Sequence, residues 1–364
     1  MAVTRMWVER YRSLFDLELE LRPLTVVQGE NATGKTNLYR ALMLLSRGAN
    51  GALARTLLDE GGMPSALWAG TRTARGRRAS PVRMRLGATV ADISYDLTLG
   101  LPSVDPVTTQ FALDAEIEEE RAWFGPTRTR HSELLDRAGS TATATDAGGA
   151  TATFATVLDR FEPALAQLGE PARFPELFDL RERMRRWRFY HHFPTGPDAP
   201  ARSPRPGVRT PILSDDGRDL AAALATIHDM GSGPALTDAI DDAFPGATLD
   251  VDAVGGTFSL GLTMPGLLRP MSAHELSDGT LRYLSLVAAL LTPRPPELLV
   301  LNEPETSLHT SLITPLARLI AAAAQCSQIV VTTHANELAA ALAALTGEAP
   351  TLLRRVNGAT TIDA

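Results

Sequence analysis

The stretch GENATGKT, residues 29–36, decides how this chain is interpreted, and it contains the only lysine among 364 residues. It fits the pattern G-x-x-x-x-G-K-[ST], in which Gly29 and Gly34 let backbone amides curl around phosphate oxygens. In this pattern the lysine brings a compact ammonium to the β- and γ-phosphates and the hydroxyl can bind Mg²⁺, which are the roles expected of Lys35 and Thr36. A planar guanidinium does not replace that point charge, which explains why lysine persists here although arginine serves elsewhere.

The segments on either side of this stretch have the context that a phosphate loop requires. Residues 15–21 alternate between apolar and acidic side chains, which predicts a half-buried strand, and LTVVQ (24–28) predicts a buried one. After the loop, NLYRALMLLS (37–46) places leucines on one stripe of a helix. Strand, glycine-bounded loop and helix together predict a nucleotide-binding site, with the helix N-terminus aimed at the phosphates.

Composition excludes several other classes of protein. Hydrophobic residues make up 44% of the chain and charged residues 21%, as in ordinary globular proteins, and no apolar run reaches 18 residues. The N-terminal segment lacks an apolar signal region, and the lone Cys326, expected to be a small buried residue, excludes a disulfide framework. We therefore expect a cytoplasmic protein without a membrane partner. The net charge of −7 means that any contact with DNA would need a local basic patch.

A second motif is ELLVLNEPETSLH (297–309), an apolar strand that ends in the pair Asn302-Glu303. In P-loop ATPases the first position orients Mg²⁺ and the second polarises the attacking water. Glu303 is therefore the candidate general base, and Asn302 and Glu303 join Thr36 as candidate metal ligands. Asn302 stands where an aspartate is usual and lacks its charge, so Glu305 could share the metal.

Two further motifs complete the candidate site. LSDGT (276–280) opens an apolar helix, and a helix N-terminus bearing Ser277 and Gly279 is suited to an anion. VVTTHANE (330–337) is a strand that ends in His334, where the side chain can reach a γ-phosphate. A helix cap and a structural histidine are the simpler explanations of these two motifs taken singly.

The remaining segments give a mixed α/β pattern. Residues 82–90 and 93–101 predict an antiparallel hairpin, whereas residues 117–125 and 176–189 predict helices. Residues 139–156, rich in Thr, Ala and Gly, predict a mobile loop. From residue 276 onward, helices alternate with apolar strands, which predicts a parallel sheet.

Taken together, these motifs resemble the ABC-type ATPase heads of the RecF, SMC and OLD group, and most of all the stand-alone AAA/ABC-type ATPases of bacteria. GENATGKT corresponds to the Walker A motif, LSDGT to the signature, LLVLNE to Walker B, and His334 to the switch histidine. The resemblance implies an α/β P-loop fold of ABC/SMC-head type, with a parallel-sheet core, an antiparallel β-subdomain and a helical insertion. It also implies two halves of one head, at 1–100 and 216–364, around an insertion at 101–215 that is mainly helical.

The same resemblance implies how the site works. Two protomers would enclose two ATP molecules, so that Ser277 and Gly279 of one protomer contact the γ-phosphate held by Lys35 of the other. Glu303, His334 and Lys35 are then the catalytic residues, and ATP and Mg²⁺ the ligands. The residues expected to bind the nucleotide are Gly29, Asn31, Ala32, Thr33, Gly34, Lys35, Thr36, Asn37, Ser277 and Gly279. Asn31 corresponds to a position that helps to orient the attacking water.

The sequence is compatible with several partners for such a head. The resemblance implies a homodimer that forms on ATP, hydrolyses it slowly and acts as a clamp in DNA repair, maintenance or defence. Five arginines interleaved with aromatic residues in RERMRRWRFYHH (181–192) suggest a surface for double-stranded DNA. A Glu182-Arg186 pair on one helical face favours a solvated helix instead. The alternatives are a nucleotide-gated module with little hydrolysis that signals to a separate effector protein, and the ATPase subunit of a transporter.

Overall fold

The computed structural model describes residues 3–70, 83–102, 110–153 and 158–363, and it divides into two compact units. The first unit comprises residues 1–22, 29–187 and 352–364, and the second comprises residues 23–28 and 188–351. These units cut the chain at other places than the sequence-based boundaries near residues 100 and 215. In the described part of the chain, no helix is long and apolar enough to cross a membrane.

The first unit is built on an antiparallel sheet of eight strands. Their order is β2-β1-β4-β5-β6-β7-β8-β9. The strands are β1 (Val3–Tyr11), β2 (Leu14–Glu20), β4 (Met84–Val90), β5 (Ile93–Gly100), β6 (Glu116–Phe124), β7 (Glu133–Ala138), β8 (Thr141–Thr145) and β9 (Thr151–Thr153). The β4–β5 hairpin, which turns at Ala91 in a left-handed conformation, confirms the predicted one.

Helices and a C-terminal hairpin complete this unit. They are α1 (Lys35–Ala49), α2 (Leu53–Asp59), α3 (Met63–Ala66), α4 (Ala164–Gln167), α5 (Pro175–Arg185), β17 (Thr351–Val356) and β18 (Ala359–Ile362). The leucines of the stripe predicted on α1 (Leu38, Leu42 and Leu45) are buried, which fixes the helix that follows the phosphate loop.

Two local predictions in this unit are wrong. Residues 117–125 are predicted as a helix, but 117–124 belong to β6, in which Glu120 is buried rather than solvated. Its carboxylate accepts hydrogen bonds from the Tyr95 hydroxyl (2.9 Å) and from the first amide of α4, Ala164 N (2.6 Å), and it pairs with the buried Arg137. The described part of residues 139–156, predicted as a loop, contains β8 and β9, in which alternating threonines suit a strand. The described part of residues 101–215 therefore extends the antiparallel sheet more than it adds helices.

The second unit contains the parallel sheet. Its four strands are ordered β10-β15-β16-β3 and are β3 (Leu24–Gly29), β10 (Arg188–Tyr190), β15 (Leu298–Asn302) and β16 (Gln328–Thr333). Helices α6 (Leu220–Ile227), α7 (Gly233–Ala243), α8 (Asp278–Leu290), α9 (Ile313–Ala323) and α10 (Asn336–Thr346) accompany it, and a π-helical turn (His228–Ser232) joins α6 to α7. This confirms the predicted alternation from residue 276 onward. The helix predicted over 176–189 instead ends at Arg185, and β10 begins three residues later.

A small second sheet flanks the parallel one in the same unit. It consists of β11 (Arg205–Pro206), β12 (Thr248–Val254), β13 (Thr257–Thr263) and β14 (Met271–Ser272), and β12 and β13 form a hairpin that turns at Gly255-Gly256. One continuous apolar core joins this sheet, the helices and the parallel strands, and Leu224, Leu284 and Val331 are among its buried residues. Cys326 is exposed, so the prediction that it is buried is wrong.

Candidate functional site: a phosphate loop and the polar ends of two strands

The phosphate loop of the first unit has a backbone that depends on glycine. Gly34 has φ +108°, and a Cβ there would lie 2.2 Å from Thr360 Oγ1 and 2.8 Å from Ser13 Oγ. A Cβ at Gly29 would lie 2.6 Å from Thr33 Oγ1. No side chain fits at either position, which is the physical reason for both glycines of the motif. Ala32 also has a positive φ of 64°, a strained conformation for a residue with a side chain.

Lys35 lies inside the loop that it belongs to. It is buried, and its Nζ donates to the carbonyl oxygens of Gly29 and Glu30, each at 2.8 Å. The ammonium is thus held at the start of α1, where the backbone amides of the helix also point. Positive charge and free helix amides at one place can hold a phosphate chain.

A chain of hydrogen bonds fixes the loop from the side. The Asn37 amide donates to Ser13 Oγ (2.8 Å), Ser13 Oγ lies 2.8 Å from Thr360 Oγ1, and Thr360 donates to the carbonyl of Thr33 (2.7 Å). Because the Thr360 hydroxyl donates its hydrogen to the Thr33 carbonyl, Ser13 must be the donor in its bond with Thr360. Sequence reasoning missed Ser13 and Thr360, since a lone hydroxyl carries no local signal. Asn37, predicted to contact nucleotide, is half-buried like Thr36 and donates to Ser13, whereas Asn31 and Ala32 are exposed.

In the second unit, Asn302 ends β15 with both polar atoms engaged. Its Oδ1 accepts from Thr332 Oγ1 (2.6 Å), and its Nδ2 lies 2.6 Å from His191 Nδ1. The amide can only donate, so Nδ1 of His191 must be the acceptor. Asn302 is buried, and its neutral side chain is locked between two neighbours. Thr332 and His191 are further residues that sequence reasoning did not assign.

Glu303, Glu305 and His334 lie together at the ends of β15 and β16. His334 Nδ1 is 3.6 Å from Glu303 Oε1 and 3.3 Å from Glu305 Oε1. Glu305 is buried and also accepts from Thr333 Oγ1 (2.6 Å) and from the His334 amide (3.2 Å). Its second oxygen, Oε2, is buried without a hydrogen-bond partner in the described part of the chain. Two carboxylates beside an imidazole form a site that can accept and pass on a proton.

Glu303 has an unusual backbone conformation that Arg282 stabilises. Its φ is +49°, and its amide donates to the carbonyl of Thr332 (2.8 Å). Arg282, buried on α8, donates to the carbonyls of Glu303 (2.9 Å), His191 (3.3 Å) and Pro304 (3.4 Å). Burial lowers the pKa of this guanidinium, while the negative charges of Glu305 and Glu303 oppose the shift. A single arginine within an otherwise apolar helix was the signal that could have revealed it.

The signature residues open α8 as the sequence predicted. Ser277 caps the helix by accepting from the Thr280 amide (3.1 Å). A Cβ at Gly279 would lie 2.8 Å from the carbonyl of Ser307, so this glycine is sterically required. Asp278, which replaces a more usual glycine, accepts from Arg202 Nη2 at 2.6 Å. Its negative charge is therefore offset by a neighbouring positive one.

The candidate metal ligands Thr36, Asn302 and Glu303 all provide oxygen atoms. Among residues 3–70, 83–102, 110–153 and 158–363, no group of three or more His, Cys, Asp or Glu side chains could hold a metal by itself. The chemistry fits Mg²⁺, which takes few protein ligands and is held largely by the phosphates of its nucleotide. Thr36 in the first unit and Glu303 in the second each carry a side-chain oxygen of the kind that Mg²⁺ prefers. The Asn302 oxygen accepts one hydrogen bond, from Thr332, and keeps a second lone pair.

The basic and aromatic segment 181–192 does not offer stacking platforms. Trp187, Phe189 and Tyr190 are buried, so their rings cannot stack on bases. Arg183 pairs with Asp179 on the same helix, and Arg185 with Glu182. The aromatic part of that interpretation is wrong, since these rings belong to the core.

Comparison with known proteins agrees with this geometry. Residues 24–340 match the family described as "AAA domain, putative AbiEii toxin, Type IV TA system". The fold is similar to that of an Smc head bound to the C-terminal winged-helix domain of ScpA, with a TM-score of 0.55, 11% identity, and coverage of 100% of this chain and 98% of the other. It is also similar to an Smc head with an extended coiled coil, bound to the C-terminal domain of ScpA from Pyrococcus furiosus. There the TM-score is 0.53 and the identity 10%, and the match covers 100% of this chain and 96% of the other. No curated protein sequence matches significantly. These similarities confirm the predicted α/β fold of P-loop, SMC-head type.

Proposed function

Because the chain belongs to the AAA-domain family whose model spans residues 24–340, we propose that it hydrolyses ATP slowly and that two copies close around the nucleotide. An ATPase of AAA and SMC-head type is what family and fold support directly. Hydrolysis, dimerisation and association with DNA are the further steps of the proposal.

The observation that carries hydrolysis, beyond nucleotide binding, is the fixed position of Glu303. A residue with φ +49° is strained, and here Arg282 and the carbonyl of Thr332 hold it in place. In this conformation the carboxylate lies beside His334. We infer that Glu303 orients the attacking water and accepts its proton, and that His334 stabilises the charge that develops.

Substrate binding in the proposal rests on the phosphate loop. Lys35 and the first amides of α1 would neutralise the β- and γ-phosphates of ATP. Thr36 and Glu303 are the proposed protein ligands of Mg²⁺, which when bound neutralises charge on the phosphates. The loop follows directly from β3, whose Gln28 pairs with Thr333 of β16. Chain continuity and family membership support the idea that loop and strand ends serve one nucleotide.

Dimerisation is proposed from the signature. Ser277 caps α8 and is exposed, so the end of the helix is available to a phosphate held by a second copy. Arg202 offsets the charge of Asp278, which would otherwise repel that phosphate. Closing and opening of such a dimer would make an ATP-gated clamp, and double-stranded DNA is the proposed cargo, in repair, maintenance or defence.

One observation favours a second candidate, a nucleotide-gated interaction module with little hydrolysis. Asn302 is neutral, and its oxygen is already bonded to Thr332. A site without the usual aspartate would bind Mg²⁺ less tightly and turn over rarely. Such a module would signal to a separate effector protein through its nucleotide-bound dimer.

Steady-state ATP turnover, measured with and without duplex DNA at moderate salt, tests the proposal. Glu303→Gln serves as the blank and should lower turnover by about 10²–10⁴, the usual contribution of a general base. Stimulation by DNA that vanishes in Glu303→Gln supports the clamp. A rate that ignores DNA refutes coupling to DNA, and a rate that Glu303→Gln leaves unchanged refutes the assigned base.

A further inference from the structure

The second unit has an open apolar cavity that is lined by none of the motifs described above. It has a volume of 530 Å³, within the range of ligand sites, and lies against α6, α7 and β12. Leu224, Leu236 and Ile240 are buried at its floor. A cavity of this size with an apolar floor can take up several apolar side chains.

One wall of this cavity is formed by side chains of a strand at the edge of a sheet. In the described part of the chain, β12 is the last strand of its sheet and pairs with β13 alone. Its alternate residues Leu249, Val251 and Ala253 line the cavity, whereas Asp250 and Asp252 do not. An unpaired strand edge beside an apolar groove is the arrangement in which proteins add an extended peptide as a further strand. Alternate side chains of such a peptide would enter the groove.

The charge around the groove selects among possible occupants. Residues 219–268 contain seven aspartates and no lysine, arginine or glutamate. Asp229 lines the cavity itself. A second copy of this chain is a poor occupant, because antiparallel pairing of two β12 strands would bring Asp250 and Asp252 of both copies together. A basic segment fits better, because its charged residues would lie on the face of β12 that carries Asp250 and Asp252, and because Asp229 is, among the described residues, the one carboxylate that lines the cavity itself.

From these observations, we propose that the groove between β12 and α7 binds an extended, basic peptide of a partner protein, in which apolar residues alternate with lysine or arginine. The seven residues of β12 set the length of the paired segment. Binding of this kind requires neither ATP nor hydrolysis, so it stands or fails separately from the ATPase activity.

The groove is also joined to the helix that carries the signature. The Tyr283 hydroxyl of α8 donates to the carbonyl of Ala239 on α7 (3.1 Å), and the Tyr283 ring packs edge-on against Phe244 with centroids 5.6 Å apart. A peptide seated on α7 would therefore contact an element that is bonded directly to α8. This gives a partner protein a physical route to the signature helix.

Fluorescence anisotropy of a labelled eight-residue peptide that alternates valine with lysine or arginine tests the proposal on the whole chain. Thr237→Arg should weaken binding at least about tenfold, because Thr237 is exposed and lines the groove, where an arginine adds bulk and positive charge. Ala235→Arg is the matched control. It adds the same charge to an exposed position of the same helix outside the groove, and it should change affinity by less than about threefold.

Two further probes need no variant protein. The same basic peptide with alternate amides methylated should lose binding, since it keeps its charge but cannot pair with a strand edge. A peptide that alternates valine with glutamate should not bind. Equal binding of the acidic peptide, or equal effects of Thr237→Arg and Ala235→Arg, would overturn the proposal. So would a concentration-dependent dimer of the free chain that Thr237→Arg abolishes, because the occupant would then be a second copy.

Discussion

Arg202 offers the sharpest quantitative test of how the signature is held in place. The side chain is 8% exposed and donates to six acceptors. These are the carbonyl oxygens of Thr195 (2.8 Å), Gly196 (3.1 Å), Ala273 (3.0 Å), His274 (3.2 Å) and Leu276 (2.7 Å), and Asp278 Oδ1 (2.6 Å). Five of the six acceptors are backbone carbonyls. Arg202 therefore links residues 273–276, just before α8, to residues 195–196 of its own segment.

The expected cost of Arg202→Met follows from these contacts. The ion pair adds little, about 1 kcal/mol or less, because the Asp278 side chain is 60% exposed and solvent screens it. The buried carbonyls matter more, since each one left without a donor costs about 1–3 kcal/mol, in part recovered by water or by relaxation. We therefore expect the free energy of unfolding to fall by about 3–5 kcal/mol, as when a buried network loses its central partner.

Urea unfolding of three variants separates the contributions. Arg202→Lys keeps the charge but has a single donor nitrogen, so it should cost about 2 kcal/mol or more. Arg205→Met is the control from the same segment. It is exposed and makes one bond to the backbone, so the change should stay within about 0.5 kcal/mol. A loss below about 1 kcal/mol in Arg202→Met, at an unchanged m-value, would refute the reasoning.

Three other predictions follow from single contacts. Asn302→Asp should raise ATP turnover and lower the Mg²⁺ concentration that turnover needs, because a negative charge is added and His191 must now donate from Nδ1. Unchanged turnover would show that the missing charge does not limit the rate. Thr360→Val should weaken ATP binding about fivefold or more in calorimetry, since the loop loses a buried hydrogen bond worth about 1 kcal/mol; an unchanged affinity would contradict this. Hydrogen bonds from Arg269 lower the pKa of Glu275 to about 2, so this group favours the folded state above its unfolded pKa and loses that effect as the pH falls towards 2. An NMR titration of Arg269→Ala should find that pKa raised.

The parts of the site that are local in sequence could be predicted, for a physical reason. A phosphate loop needs two glycines and a lysine at fixed spacing, and a parallel strand needs an apolar run that ends in polar residues at the sheet edge. The residues that meet each of these requirements lie within about ten positions of one another in the sequence. The loop around Lys35, the strand that ends at Asn302 and the cap at Ser277 are all of this kind.

The parts that could not be predicted are those whose partners lie far along the chain. Thr360 bonds to a loop residue 327 positions earlier, and neither its type nor its neighbours indicate this. Strand β6 was missed because a run of acidic residues normally marks a solvated helix. Burial of Glu120 against Arg137 and the start of α4 reverses that inference, and only the tertiary structure provides those partners.

The contrast between the one lysine and the buried arginines follows from the same geometry. Arg202 and Arg282 each reach several backbone carbonyls in different directions, which a planar fork with five donors can do. Lys35 differs, because its single nitrogen approaches the carbonyls of two consecutive loop residues, Gly29 and Glu30. A carbonyl acceptor leaves no trace in the sequence, so the partners of these cations could not be inferred from residue types. Because lysine occurs nowhere else in the chain, residue 35 stands out in the sequence, whereas Arg202 and Arg282 look like any other arginine.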